Sequence, residues 1–103
     1  MLWSSIQQLK IGHGYFLSYL KRFNQQYEND ICNKCNSNLK QTPYHLILEC
    51  SKYNDIRKQT IGELTIEKRN LHFLYSKPGI PILIDYLKRT KIVTRKWILL
   101  EEE

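Results

Sequence analysis

Acidic residues are scarce in this chain: ten, against sixteen lysines and arginines, for a formal net charge of +6. Three of the ten form the terminal Glu101-Glu102-Glu103, so removing those three negative charges leaves a body of +9. Such a surface is a poor match for cationic partners and favours nucleic acid or another polyanion. The plainer alternative is that the charge only keeps the chain in solution. Long apolar runs are also missing. None approaches the ~20 residues of a membrane span, so no membrane partner is expected. Met1-Leu2-Trp3-Ser4 lacks the basic start and apolar run of a signal peptide. Cysteine occurs only three times, an odd number that leaves a disulfide framework incomplete. A reducing, intracellular setting is therefore expected, where few cysteines in a tight pattern point to metal.

No internal repeat or low-complexity stretch is present beyond the acidic tail. The 42% hydrophobic content is near the globular average and favours a folded domain over disorder. At 103 residues the expectation is one domain over 1–103. Its parts are N-terminal helices in 1–30, a metal motif and helix in 31–58, and a C-terminal helical segment with a basic end in 59–103. A chain this short buries a modest fraction of its surface, and a metal commonly makes up the difference.

All three cysteines fall in the pattern Cys32-x2-Cys35-x9-His45-x4-Cys50. Four soft or borderline donors in so short a stretch read as one tetrahedral zinc site. Three thiolates and one imidazole fill four positions and leave none for water, so the zinc is expected to be structural. The alternative is three free thiols packed in a core as small hydrophobes. A cysteine nucleophile beside His45 would need an orienting third group, and the sequence offers none. The chain is expected to be no enzyme and to take no small-molecule substrate.

Along the chain, Leu2, Ile6 and Leu9 have helical spacing, with Ser4 or Ser5 as candidate caps. Gly12-His13-Gly14 breaks the pattern. His13 is either a phosphate or ligand contact, or a turn residue whose ring bonds nearby backbone. Phe16, Leu20 and Phe23 resume a helical stripe flanked by Tyr15 and Tyr19, and residues 24–30 read as loop. Thr42-Pro43 reads as a helix start that continues through Tyr53 and Ile56 toward Lys58. On an ideal helix the step from His45 to Cys50 is about 140° of rotation, so rotamer choice or local unwinding must bring the two ligands together. Residues 65–75 are ambiguous, Ser76-Lys77-Pro78-Gly79 is a turn, and Ile80, Leu83, Ile84 and Leu87 form a helix ending near Thr90. The fold class is thus mainly α: a small zinc-stabilised domain of four to five short helices with a CCHC knuckle-like loop.

Lys21, Arg22, Lys34, Lys40, Lys88, Arg89, Arg95 and Lys96 are the candidate phosphate contacts. Trp97, closing the last basic run, either stacks on an exposed base or packs in the core.

Three stretches match one family in its own order: QLKIGHGYFLSYLKRFN from Gln8 to Asn24, QTPYHLILECSKYNDIR from Gln41 to Arg57, and KPGIPILIDYLKRTKIVTRKW from Lys77 to Trp97. Together with the paired Cys32 and Cys35, they make the chain resemble the C-terminal tail of the second-reading-frame polyprotein of non-LTR (LINE-type) retrotransposons, fungal ones especially. That tail follows the reverse transcriptase and, where present, the ribonuclease H domain. Ile11 stands where the family often has threonine, and residues 59–76 match nothing in it. The resemblance implies a zinc-binding accessory region that contacts nucleic acid, with Cys32, Cys35, His45 and Cys50 as ligands. It implies RNA or single-stranded DNA and the rest of the parent polyprotein as partners, and a nuclear setting. It does not imply catalysis, because neither the paired aspartates of a polymerase nor the carboxylate set of a ribonuclease H is present. The chain is then a fragment, a truncated element copy or a remnant adopted by a host.

Overall fold

Helices carry the structure, but among the described residues only two are longer than two turns. A computed structural model describes residues 2–22, 28–94 and 97, with side chains from Ile6 onward. Among the described residues there are five α-helices: α1 (Leu2–Lys10), α2 (Leu17–Leu20), α3 (Asn54–Gln59), α4 (Leu71–Leu74) and α5 (Ile80–Thr90). A π-helical turn spans His45–Glu49, and short 3-10 turns fill Ser51–Tyr53, Ile61–Glu63 and Ile66–Lys68. The only strand-like pairing among the described residues is an isolated antiparallel bridge between Ile31 and Lys40. The mainly helical class expected from the sequence is the observed one.

Several local expectations hold and several need correction. α1 starts at Leu2, ahead of the serines expected to cap it. It stops where Gly12 (φ 76°) and Gly14 (φ 136°) adopt backbone angles that other residues avoid. α2 is a single turn, much shorter than its apolar stripe suggested, and Leu17 rather than Leu20 is its buried residue. Phe23 and residues 24–27 lie outside the described residues. In the ambiguous stretch, Asn70 caps α4 by accepting from the Phe73 N–H at 2.8 Å.

α5 runs to Thr90 as its periodicity requires, with Pro81 in the first turn, where the missing N–H removes no helical bond. Its buried face is turned relative to the expected stripe. Leu83, Tyr86, Leu87 and Thr90 are buried, while Ile80 and Ile84 are only partly so. Gly79 precedes it against α4; a Cβ there would sit 2.1 Å from the Phe73 carbonyl oxygen, so no side chain fits.

The buried side chains form one cluster: Ile6 and Leu9 from α1, Phe16 and Leu17 around α2, Leu46 and Ile47 from the π turn, then Ile61, Leu74 and the α5 face. Ile92, Val93 and Trp97 close it, and Cys32 and Cys50 lie inside it. Trp97 is 8% exposed and donates its indole N–H to the Tyr53 hydroxyl at 2.8 Å, so it packs in the core and is not a stacking platform. The radius of gyration, 13.2 Å, is near the ~13 Å of a compact chain of about 100 residues, although so little of the chain is long helix.

Candidate metal centre and basic surface

The site is assembled by two turns meeting from opposite sides. The first holds Cys32 and Cys35. Its mouth is pinched by the bridge, with Cys32 N–H donating to Leu39 O at 2.8 Å and Gln41 N–H to Asp30 O at 2.7 Å. Asn38 takes a left-handed φ of 63° within it, a conformation asparagine tolerates.

The second turn starts at Thr42, whose Oγ1 accepts from the His45 N–H at 3.1 Å, as a capping residue should. The expected continuous helix from here to Lys58 does not occur. His45–Glu49 winds as a π turn, closed by Cys50 N–H donating to His45 O at 2.6 Å, and Cys50 itself is extended at φ −60°, ψ 121°. A π turn brings residues i and i+5 together. This is the unwinding that the five-residue step between the two ligands demands.

As a result the Cys32, Cys35 and Cys50 sulfurs and a His45 ring nitrogen all lie within 4.8 Å of one another. The Cys32 and Cys50 sulfurs are 4.0 Å apart, and Cys35 Sγ is 3.3 Å from His45 Nε2. Tetrahedral zinc with Zn–S near 2.3 Å and Zn–N near 2.0 Å sets donor separations of roughly 3.5–3.8 Å. The donor set can therefore close on one such ion, the two shortest pairs with shifts of a few tenths of an ångström and the widest with about one ångström. Cys32, His45 and Cys50 are buried and Cys35 half-buried, so one corner faces outward.

Neighbouring polar groups orient these ligands. His45 Nδ1 lies 3.2 Å from Glu49 Oε1, which leaves Nε2 turned to the sulfurs. A carboxylate behind the imidazole is the usual support of a ligating histidine. Gln41, fully buried, donates its amide N–H to Cys32 Sγ at 3.6 Å and to Asn33 Oδ1 at 3.1 Å, while its Oε1 accepts from the Leu17 N–H at 2.8 Å. Arg57 satisfies carbonyls freed by the break at Cys50, donating to Ile47 O at 2.8 Å and Cys50 O at 2.7 Å.

The sulfurs are electrostatically unequal. The hydrogen bond from Cys50 holds the Cys32 thiol down at about 4 despite burial, whereas the same bond and burial push Cys50 well above the ordinary thiol range. Cys35 is lowered: burial opposes this, but the Ser37 hydroxyl and backbone and the His45 ring outweigh it. Burial likewise opposes charge on His45, but its bonds to Cys35 and Glu49 raise it overall. A nest so biased toward thiolate suits a divalent cation.

Of the candidate phosphate contacts, Lys21, Arg22 and Lys40 line one open cleft of about 480 Å³ with Ser18 and Thr42. Asp30 also lines it, 3.9 Å from Lys40 Nζ, a weak pair because the lysine side chain is 70% exposed. Lys34 is turned elsewhere, its ammonium 4.8 Å above the Trp97 ring. Lys88 and Arg89 are exposed in the last turn of α5, with Arg89 bonded to Asp85 and Gln59. Arg95 and Lys96 lie outside the described residues. His13 is exposed and stacks on Tyr19 with ring centroids 4.6 Å apart.

Sequence reasoning missed Gln41, Glu49, Arg57 and Tyr86. Glu49, four residues after a ligand histidine, was the one with a readable signal. Compared with protein-family models, curated proteins and solved structures, the chain matches none. Among the described residues no helix is long and apolar enough to cross a membrane. The chain is thus defined by its own chemistry: a mainly helical fold around a Cys3His group that can hold one metal ion, consistent with zinc.

Proposed function

We propose that this chain is a zinc-stabilised, nucleic-acid-binding accessory region, non-catalytic by itself, of the kind that ends LINE-type retrotransposon polyproteins. One observation carries the reading. Gln41 reaches Cys32 Sγ while its neighbours Lys40 and Thr42 line the basic cleft, so the metal site and the cationic surface share one turn of chain. Zinc fixes Cys32, Gln41 follows it, and Lys40 is held opposite Lys21 and Arg22. The partner is RNA or single-stranded DNA, in a reducing compartment, with the nucleus implied by the resemblance.

Anisotropy titrations with a labelled single-stranded RNA and a DNA of the same sequence test this. Log affinity should fall linearly with log salt, by about 0.7 for each phosphate neutralised. The pair Lys21→Glu and Lys40→Glu should abolish binding with zinc content unchanged. Wild-type protein with no salt-sensitive binding to either strand overturns the reading.

A second reading, a protein-docking module in which zinc only holds the fold, draws on exposed apolar groups: Ile66 at 78% and Ile11 at 65%. It predicts a folded, zinc-loaded chain with negligible affinity for nucleic acid.

A further inference from the structure

A second opening lies between the π turn, α3 and the loop that follows it. It encloses about 350 Å³, at the lower end of the range for sites that take a small ligand. None of the residues that line it was a candidate contact from the sequence. Its composition is divided. Ile61, only 1% exposed, and half-buried Leu48 make an apolar floor. Tyr44 stands at the lip with 52% of its surface exposed, high for an aromatic ring. Arg57, Lys58 and Arg69 make a cationic wall, and among the described residues no acidic side chain lines the pocket. The acids next in sequence to lining residues, Glu49, Asp55 and Glu63, are exposed and do not line it.

The two guanidinium groups are held in place by groups that leave their charge intact. Arg57 donates to the carbonyls of Ile47 and Cys50, to Asn54 Oδ1 and to the Tyr86 hydroxyl. Arg69 donates to Leu64 O and Gly62 O, both at 2.9 Å. Carbonyls fix a guanidinium without cancelling it, so two positive charges are preorganised beside an apolar floor. Arg57 is almost fully occupied and supplies field; the outer edge of Arg69 and the Lys58 ammonium are the groups positioned to contact an anion.

An exposed aromatic ring and a cationic wall beside an apolar floor, in a volume of this size, match a single nucleotide. A base in a duplex offers only its edge, so the base must be unpaired. We propose that this pocket takes one unpaired nucleotide, with its base on the Tyr44 ring and its phosphate against Lys58 and Arg69. In a bound strand this nucleotide would be one the basic cleft does not grip, and that part rests on the function proposed above.

The test uses the zinc-loaded full chain and AMP as probe, followed by amide NMR, with inorganic phosphate and phenyl phosphate in parallel. AMP should shift the amides of Tyr44, Lys58 and Gly62. Tyr44→Ala should weaken AMP and strand binding on the order of 10-fold, while Tyr44→Phe should stay within about twofold of wild type. The Lys21→Glu, Lys40→Glu pair should leave AMP binding intact. Absence of AMP shifts in the pocket overturns the proposal, as does phosphate alone reproducing them, or phenyl phosphate binding more tightly than AMP. If the strand binds wild type and Tyr44→Ala equally, the pocket fails while the basic cleft stands. If no strand binds but AMP shifts the pocket, the cleft fails and the nucleotide site stands.

Discussion

Two stretches reach the same core by different means. From Ile31 to Tyr53 the chain contains one bridge, one π turn and one 3-10 turn, and beside Leu46, Ile47 and Tyr53 it buries four polar or soft side chains: Cys32, Gln41, His45 and Cys50. From Asn70 to Thr90 it is a capped turn and an eleven-residue helix that bury Leu74, Leu83, Tyr86 and Leu87. The second stretch brings an apolar face of its own to the core. The first has less of one, because an isolated π turn and a nineteen-residue ligand segment are too short and irregular to be stable alone. On the proposed reading its order comes from the ion and from the groups that orient the four donors. The two are stitched by Tyr86, which donates its hydroxyl to Leu46 O at 2.7 Å, and by Arg57 between them.

Cys50→Ser breaks the comparison hardest. Structural zinc contributes on the order of 10 kcal/mol in small peptides, comparable to the whole stability of a small domain. Loss of the ion and of most helical circular dichroism is expected; retained helicity without metal would mean that the second stretch suffices alone. Leu83→Ala attacks the other side. It should cost about 2–5 kcal/mol by denaturant titration while the folded fraction still binds one ion. Glu49→Gln sharpens the contrast, since it touches neither stretch's apolar core. Its expected effect is a loss of metal affinity of roughly 10- to 100-fold in a chelator competition, with the apolar half unchanged. Lys91 caps α5 at φ 59°, so Lys91→Gly should stabilise by up to about 1 kcal/mol and leave metal affinity untouched.

Acid should act through the first stretch. Cys50 holds its proton above the ordinary thiol range, so metal binding must release that proton, and falling pH favours the metal-free form. Metal affinity is therefore expected to rise with pH, and helicity to be lost with the metal as pH falls.

The ligand set was legible because ligating residues declare themselves by type and spacing. The conflict between His45 and Cys50 was legible too, as a rotation that an α-helix cannot absorb, although the π turn that resolves it was not. Spacing said less where tertiary contacts decide. The stripe after Tyr15 gave only one turn of helix. α5 was placed correctly, yet its buried face includes Tyr86, whose hydroxyl needed a carbonyl forty residues away. Gln41 and Arg57 gave no local signal, since their partners belong to other turns. The basic residues were visible as a list but not as a surface; folding gathers Lys21, Arg22 and Lys40 and turns Lys34 onto Trp97.

Native mass spectrometry of the reduced wild-type chain, before and after a strong chelator, with circular dichroism on the same samples, bears most directly on the metal's role. One zinc ion per chain is expected, and its removal should collapse the helical signal. A chain that carries no metal, or that keeps its helicity once the ion is gone, would contradict a fold held together at Cys32, Cys35, His45 and Cys50.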